Sequence, residues 1–136
     1  MWGYRDAVYE WLGKTAARLD DLMNWLPARL TAGLILLVGW GIGRGWTVGC
    51  RVWRRDACKT ASPNAGHPMS AMAGILGVRL EKIGHYTLGA EFPWPRVDDI
   101  DRSLTVFRRI VGLGTVVLAG FLSLRPSIGA LLGAGG

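Results

Sequence analysis

Two apolar stretches limit what this chain can fold into more than any other feature. The first, 30–49, has Arg44 as its only charge, and the second, 104–124, is uninterrupted from Ile110 onward. About 20 apolar residues are enough for a helix to cross the hydrocarbon of a bilayer. The chain also contains 20 Gly and 7 Trp, residues that are frequent in membrane helices and at their interfaces. We therefore predict a mainly α, integral membrane protein with about two spans, in which Arg125-Pro126 ends the second.

The residues before the first stretch predict an amphipathic helix lying on the membrane surface, at 1–26. Its apolar residues recur every three or four positions, as one face of a helix requires. They are Val8, Leu12, Ala16, Leu19, Met23 and Leu26. Aromatic rings on the same segment are of the type enriched at bilayer interfaces. A helix packed on a soluble core is the alternative. Pro27 fits the first turn of a new helix.

The segment between the two spans, 50–103, is predicted to be a long polar loop. Basic residues follow the first span at once, at Arg51, Arg54, Arg55 and Lys59. By the positive-inside rule this places the loop in the cytoplasm of a multi-pass protein of the cell membrane. Residues 1–26 then fall on the far side of the bilayer, unless the Gly-rich first stretch is broken or re-entrant. The whole chain, with a tail at 125–136, is predicted to be one membrane domain.

The loop is rich in groups that bind anions. Ser62–Gly66 is a turn, and Pro68 and Ser70 after it are typical helix-start residues. A turn leading into a helix N-terminus can present backbone N–H groups and the helix dipole to a phosphate or carboxylate. The alternative is a polar loop with solvated charges. The candidate substrate- and phosphate-binding residues are Arg54, Arg55, Ser62, Gly66, His67, Ser70, Arg79 and Glu81.

Other charged and thiol residues allow fewer conclusions. Asp20 and Asp21 are either Mg²⁺ ligands or solvated carboxylates opposite Arg18. Three aspartates at 98, 99 and 101 are interpreted as helix caps. The two cysteines have no metal-site spacing and are interpreted as reduced thiols.

The net charge of the chain, +6, admits nucleic acid or a membrane and anionic substrates as partners. No basic run alternates with aromatic residues, so nucleic acid is not expected. The charged N-terminal segment predicts no cleavable signal peptide.

Several segments of the chain resemble a known family. The central ones are Arg55–Ala57, Thr60–Gly66, Pro68–Gly74 and Leu76–Glu81, with further likeness at Ala17–Asp21, Pro27–Leu30 and Asp98–Ile100. Together they resemble the adenosylcobinamide-phosphate synthases of cobalamin (vitamin B12) biosynthesis, which are integral membrane proteins. The family's proteins are about twice as long, and this chain resembles their C-terminal half.

The resemblance implies an amide-forming ligase. The expected reaction joins the carboxylate of the corrinoid adenosylcobyric acid to aminopropanol phosphate, driven by ATP with Mg²⁺. In that role Asn64, Asp56 and Lys59 are the expected catalytic residues, and Asp20 and Asp21 the expected metal ligands. Expected partners are the two substrates, the lipid bilayer, and a separate N-terminal half or a second copy of the chain.

Two other functions stay open at this point. The chain is half the family's length, so it could be a non-catalytic membrane protein that binds a partner half or an anionic ligand. It could also be a basic module that recruits acidic lipids, in which case Asn64 and Gly66 would not matter.

Overall fold

The computed structural model describes the backbone of residues 10–42 and 44–133 and the side chains of residues 14–42 and 44–123. Within these residues the elements are α1 (Glu10–Val38), α2 (Trp46–Asp56), a 3-10 helix (Ala57–Lys59), α3 (Gly66–Leu76), β1 (Leu80–Lys82), β2 (Tyr86–Leu88) and α4 (Val97–Gly133). The predicted mainly helical class is confirmed. The first nine residues of the predicted surface helix lie outside the described residues.

Helix α1 joins two segments that the sequence predicted to be separate. It runs from Glu10 to Val38 with Pro27 inside it, so the prediction of a new helix starting at Pro27 is wrong. A proline within a helix removes one backbone hydrogen bond and costs about 3 kcal/mol. Packing of α1 along α3 offsets that cost, because both halves of α1 contact the segment 64–75.

A glycine turn ends α1 earlier than the predicted span boundary of residue 49. Gly41 and Gly45 have φ angles of 84° and 93°, which strain any residue with a Cβ. Gly39 lies so close to α3 that an added Cβ would sit 2.6 Å from Cγ2 of Ile75. The chain therefore turns, and α2 comes back along α3 instead of extending α1.

Two arginines of α4 hold this turn in place. Arg109 Nη1 donates to the carbonyl oxygen of Val38 at 3.1 Å, at the C-terminal end of α1. Arg102 Nη2 donates to the carbonyl oxygen of Ile42 at 3.3 Å, while its Nη1 is 2.7 Å from Asp99 Oδ1. The last carbonyls of a helix have no partner within the helix, so these contacts stabilise both the helix end and the turn.

The segment predicted to be a polar loop is folded. Residues 50–103 contain most of α2, all of α3, the start of α4 and an antiparallel hairpin in which Leu80 faces Leu88. Helix α3 is largely buried, with Ala71, Ala73 and Ile75 fully so. The helix predicted to start near Pro68 is confirmed, and the description of the whole segment as a loop is wrong. Residues of α3 are buried on more than one face, because the helix packs on α1 through Ala71 and Ile75 and on α2 through Gly74.

The core lies where α1, α3 and the first part of α4 meet. Its buried members are Ala32, Ile35, Leu36, Ala71, Ile75 and Val106. Helix α2 packs on α3 through small residues: an added Cβ at Gly74 would lie 2.8 Å from the Cα of Gly49. The two backbones therefore touch, which only glycine allows.

Two helices are long and apolar enough to cross a membrane. They are the segments Lys14–Val38 of α1 and Val97–Ser123 of α4, by length and composition. Helix α4 exposes apolar side chains beyond the core, including Val116, Val117 and Phe121. It continues past Pro126 to Gly133, so the predicted stop at Arg125-Pro126 is wrong. Membrane insertion and the cytoplasmic orientation of 50–103 remain predictions.

The contact between α2 and α3 gives a stability prediction. Gly74→Ala should lower the free energy of unfolding by about 1–3 kcal/mol, since its methyl group would force two backbones apart. Gly33→Ala is the matched control, because nothing lies within 4 Å of its added Cβ and alanine favours a helix by up to about 1 kcal/mol. Thermal unfolding of both variants in detergent, followed by circular dichroism, measures the difference. Equal midpoints for the two variants would contradict the close contact.

Candidate functional site

The Ser62–Gly66 turn is held together mainly by its own hydrogen bonds. The Oγ of Ser62 accepts the backbone N–H groups of Asn64 at 3.3 Å and Ala65 at 3.4 Å. The N–H of His67 donates to the carbonyl of Asn64 at 3.2 Å, and Pro68 has none. Three of the N–H groups expected to point outward, those of Asn64, Ala65 and His67, are therefore used within the turn. Helix α3 begins at Gly66, two residues before the predicted start.

Gly66 and Ser70 serve packing in this structure. An added Cβ at Gly66 would lie 2.0 Å from the carbonyl oxygen of Ala57, so the turn and the 3-10 helix can touch only at glycine. Ser70 is fully buried, and its hydroxyl donates to the carbonyl of Gly66 at 2.6 Å. The hydroxyl of Ser70 is thus engaged inside the protein.

Asn64 connects the turn to α1. Its side chain is 6% exposed, and its Nδ2 donates to the carbonyl oxygen of Asp21 at 2.6 Å. Its Oδ1 is buried and has no hydrogen-bond partner among the described residues. The structure thus brings Asn64 together with Asp20 and Asp21, which the uninterrupted span 30–49 would have placed on opposite sides of a bilayer. The broken Gly-rich segment, the alternative noted from the sequence, makes this possible.

A groove of about 360 Å³ lies between α1 and the turn; we call it the acidic groove. It is lined by Asp20, Asp21, Asn24, Pro27, Ala28, Thr31, Ser62, Asn64, Ala65 and Pro68. Oδ1 of Asp20 accepts a hydrogen bond from Nδ2 of Asn24 at 3.0 Å. These described lining residues include two carboxylates and no Lys, Arg or His. Asn24 and Thr31 were missed from the sequence, although they follow Asp20 at i+4 and i+11, a spacing that places all three on one face of the helix.

Asp56 lies at the centre of a buried ion-pair network. It is 0% exposed and accepts hydrogen bonds from Arg55 Nε at 2.7 Å and from the backbone N–H of Gly89 at 2.8 Å. Nζ of Lys59 lies 2.6 Å from its Oδ1. Burial acts to raise the pKa of Asp56, but these donors outweigh it and hold the pKa well below its usual range. The expected catalytic role of Asp56 and Lys59 remains untested, and in this structure both serve the network.

Arg55 extends this network to Glu91, in the segment that follows the hairpin. Its guanidinium contacts Glu91 through Nη1 at 3.0 Å and Nη2 at 2.8 Å. Hydrogen bonds to Asp56 and then Glu91 raise the pKa of Arg55 further above its already high value. The network ties the end of α2 to residues 89–91, beyond β2. Glu91 and Gly89 were not identified from the sequence, because their partner lies more than 30 residues earlier.

Arg79 and Glu81 form a separate pair on the hairpin. Nη2 of Arg79 lies 2.6 Å from Oε2 of Glu81, and its guanidinium stacks 4.9 Å from the ring centre of Trp94. Neither residue lines the acidic groove. The structure therefore does not bring these two predicted substrate-binding residues to Asn64.

His67 is buried behind the turn. The indole N–H of Trp53 donates to its Nδ1 at 3.0 Å. Burial, together with the positive charge of Arg29, lowers the pKa of His67. A neutral imidazole whose Nδ1 already accepts a hydrogen bond carries its proton on Nε2. This state is poorly suited to the phosphate-binding role expected from the sequence.

A second groove, which we call the basic groove, runs along α2. It has a volume of about 820 Å³ and is lined by Trp46, Thr47, Cys50, Arg51, Trp53, Arg54 and Arg55. Arg51 and Arg54 are exposed there. Arg54 was predicted to bind phosphate and does face an open groove. The aromatic wall was missed, although Trp46, Cys50 and Trp53 follow the spacing of one helix face. The two grooves share no described lining residue.

Comparison with known proteins places the chain in a family. The family model described as "CobD/Cbib protein" matches residues 1–110, which include every described residue of both grooves. The chain belongs to this family. Curated proteins named as cobalamin biosynthesis protein CobD are also similar to it. That of Dehalococcoides mccartyi is 56% identical over 90 residues, which is 65% of this chain and 29% of that protein.

Two further relatives cover more of the chain. The cobalamin biosynthesis protein CobD of Mycobacterium tuberculosis (strain H37Rv) is 41% identical over 133 residues, 92% of this chain and 42% of that protein. The one from Chromobacterium violaceum is 43% identical over 117 residues, 80% of this chain and 36% of that protein. The chain thus spans well under half the length of these relatives. No solved structure matches it. The names of these relatives associate them with cobalamin biosynthesis.

The network around Asp56 gives a second stability prediction. Asp56→Asn should lower the free energy of unfolding by about 2 kcal/mol or more, because it removes charge-assisted hydrogen bonds at a fully buried position. Glu91→Gln is the control: it changes an exposed partner of the same arginine and should cost at most about 1 kcal/mol. Urea unfolding at neutral pH compares them. A larger loss for Glu91→Gln would refute the central position of Asp56.

His67 gives a prediction for pH dependence. Its folded pKa lies below the ordinary 6.5, so below that pH the unfolded chain binds a proton that the folded chain excludes. Stability should therefore be fully present above pH 6.5 and fall as the pH drops through the folded pKa. His67→Gln should lose less stability than the wild type between about pH 7.5 and about pH 5.5. His85→Gln, at an exposed histidine, should behave like the wild type. An unchanged slope in His67→Gln would show that another group is responsible.

Proposed function

We propose that the chain forms part of an amide-forming ligase of cobalamin biosynthesis. The reaction joins the carboxylate of adenosylcobyric acid to the amine of aminopropanol phosphate to give adenosylcobinamide phosphate. The supporting observation is the family match over residues 1–110, which contains both grooves and the Asn64 turn. Because the chain spans 29–42% of the relatives' lengths, the activity of the whole protein is a proposal for it.

The charges of the two grooves suit the two reactants. Amide formation brings an anionic carboxylate and phosphate together with a cationic amine, so a site for it needs regions of both signs. The basic groove offers exposed Arg51 and Arg54 beside two tryptophan rings. Arginine binds carboxylates and phosphates, and aromatic rings offer flat apolar surface for a macrocycle. The acidic groove offers carboxylates and the Asn64 oxygen on the other side of the turn.

Amide formation from a carboxylate also needs activation, which ATP with Mg²⁺ supplies in the reaction that the resemblance implies. Residues 14–42 and 44–123 place no group of three or more His, Cys, Asp or Glu side chains to hold a metal ion. Asp56, an expected catalytic residue, is fully buried among its own partners. No contact with ATP or Mg²⁺ is therefore assigned to a described residue.

Complementation tests this function. The chain is expressed in a bacterium that lacks its own adenosylcobinamide-phosphate synthase, and growth is scored with cobyric acid as the corrinoid source. One arm expresses the chain alone, and a second joins it to the N-terminal part of the M. tuberculosis relative. We expect growth in the second arm. Cobinamide, which enters after the missing step, serves as the growth control.

Asn64→Ala in the joined protein should abolish growth on cobyric acid while the protein still accumulates in the membrane fraction. The expected reason is loss of the bond that holds the turn to α1, together with the buried acceptor of the acidic groove. His85→Gln, on the exposed hairpin, is the control and should grow normally. No growth with the unmutated joined protein, present at normal level, would favour the non-catalytic function.

A further inference from the structure

The acidic groove contains a polar atom that the described structure leaves unsatisfied. Oδ1 of Asn64 is buried and has no hydrogen-bond partner among the described residues, although the side chain as a whole is fixed. A buried acceptor without a donor costs about 1–3 kcal/mol. Asn64 also lines the groove, so its unsatisfied acceptor is a reason to look for a ligand that donates hydrogen bonds.

The orientation of the Asn64 amide is determined by its other contact. Nδ2 lies 2.6 Å from the carbonyl oxygen of Asp21. Exchanging the nitrogen and oxygen would set two acceptors against each other at that distance, so the amide group has to point its N–H₂ toward α1. The unsatisfied atom is therefore an acceptor, and its missing partner is a donor.

The charge of the groove selects the kind of donor. Two carboxylates, of exposed Asp20 and half-buried Asp21, line it together with Asn64. The described cations of α1, at positions 14, 18 and 29, do not line the groove. Arg29 is engaged elsewhere: its Nη1 donates to the carbonyl of Trp25 at 2.8 Å, and its guanidinium lies 4.2 Å from the centre of the Trp25 ring. An anion would be repelled by the two carboxylates, whereas a cation is attracted.

Among cations, a primary ammonium group fits these residues better than a metal ion. An ammonium offers three N–H donors that can be shared among carboxylate and amide oxygens. Mg²⁺ demands a near-octahedral set of oxygen ligands at about 2.0–2.1 Å and is usually bound through one or two carboxylates together with waters and substrate phosphates. The groove offers two carboxylates, and Oδ1 of Asp20 already accepts from Asn24. Mg²⁺ alone would therefore keep most of its waters there, whereas an ammonium group can donate directly to these oxygens.

We propose that the acidic groove binds the primary ammonium group of a small amine, with Asn64 Oδ1, Asp20 and Asp21 as its acceptors. A volume of about 360 Å³ lies at the small end of ligand pockets, which suits an amine of a few heavy atoms. The further identification of this amine with the amine substrate rests on the proposed function. The Ser62–Gly66 turn, which the sequence predicted to bind an anion, thus helps to bind a cation.

Binding can be measured without turnover. The purified protein in detergent is titrated with 1-amino-2-propanol, with propane-1,2-diol, in which a hydroxyl group replaces the amine, and with MgCl₂ alone. The readout is the ¹⁵N-labelled side-chain amide signal of Asn64, assigned by its absence in Asn64→Ala. The amine should shift this signal saturably, and the diol should not.

Charge variants complete the test. The double variant Asp20→Asn with Asp21→Asn should weaken amine binding about tenfold or more, since it removes both attracting charges. Asp98→Asn, on exposed α4, is the matched control and should bind as the wild type does. Both positions of the double variant are at least partly exposed, so folding should survive, and circular dichroism checks it.

Three outcomes would overturn the ammonium site: equal shifts with amine and diol, a shift with Mg²⁺ but not with the amine, or full affinity in the double aspartate variant. The result is separable from complementation. Amine binding without growth on cobyric acid would retain the ammonium site and reject the ligase. Growth without amine binding would retain the ligase and reject this groove as its amine site.

Discussion

The close approach of Gly39 and Gly49 to Ile75 determines the layout of the described chain. An added Cβ at either position would lie less than 3.0 Å from a side-chain atom of Ile75. The turn after α1 can therefore lie this close to α3 only with glycine at positions 39 and 49. Helix α2 consequently returns along α3, and the 57–66 segment arrives beside the first half of α1. Everything that lines the acidic groove depends on this reversal, as does the burial of Asp56 at the far end of α2.

The reversal also separates charges of opposite sign. Arg51 and Arg54 lie on the outer face of α2, whereas Asp20 and Asp21 lie across the turn on α1. Between them, Arg55 and Lys59 are paired with Asp56 and Glu91. A chain with a net charge of +6 thus keeps one acidic region intact, because the cations nearest in sequence to the turn are paired internally. A ligase that brings an amine to a carboxylate benefits from such a division, since the ammonium end of one reactant and the carboxylate of the other each meet a region of opposite sign.

Local signals in the sequence were reliable where no distant contact overrode them. The helix after the turn was predicted from Pro68 and the small and apolar residues that follow it, and Asp99 does cap α4, accepting the N–H of Arg96 at 2.9 Å. Signals failed where a distant contact overrode local preference. Pro27 predicts a helix start, but tertiary packing carries α1 through it. Ser70 looks like a helix-start residue, but its hydroxyl bonds back to Gly66 because it is buried against the preceding turn.

The sequence predicted which residues belong to the candidate site better than it predicted the hydrogen bonds that those residues make. Asn64, Asp20 and Asp21 were all identified, but apolar length alone suggested an unbroken span that separated them. The sequence could not show that the N–H groups of the turn bond internally to Ser62 Oγ. It also could not show that Asn64 has a buried oxygen without a hydrogen-bond partner among the described residues, because that depends on the orientation of the Asn64 amide. Asp56 reads as a free carboxylate in sequence, and only its three-dimensional partners make it inaccessible.

The length of α1 has a mechanical consequence. Two of the contacts that hold the helix to the rest of the protein are those of Ile35 and Leu36 in the core and the Asp21–Asn64 bond. These lie about 21 Å apart along the axis at 1.5 Å per residue. A difference of about 5° in the tilt of α1 at the core contact would correspond to a displacement of Asp21 by about 2 Å. The width of the acidic groove therefore depends closely on the angle at which α1 crosses the core.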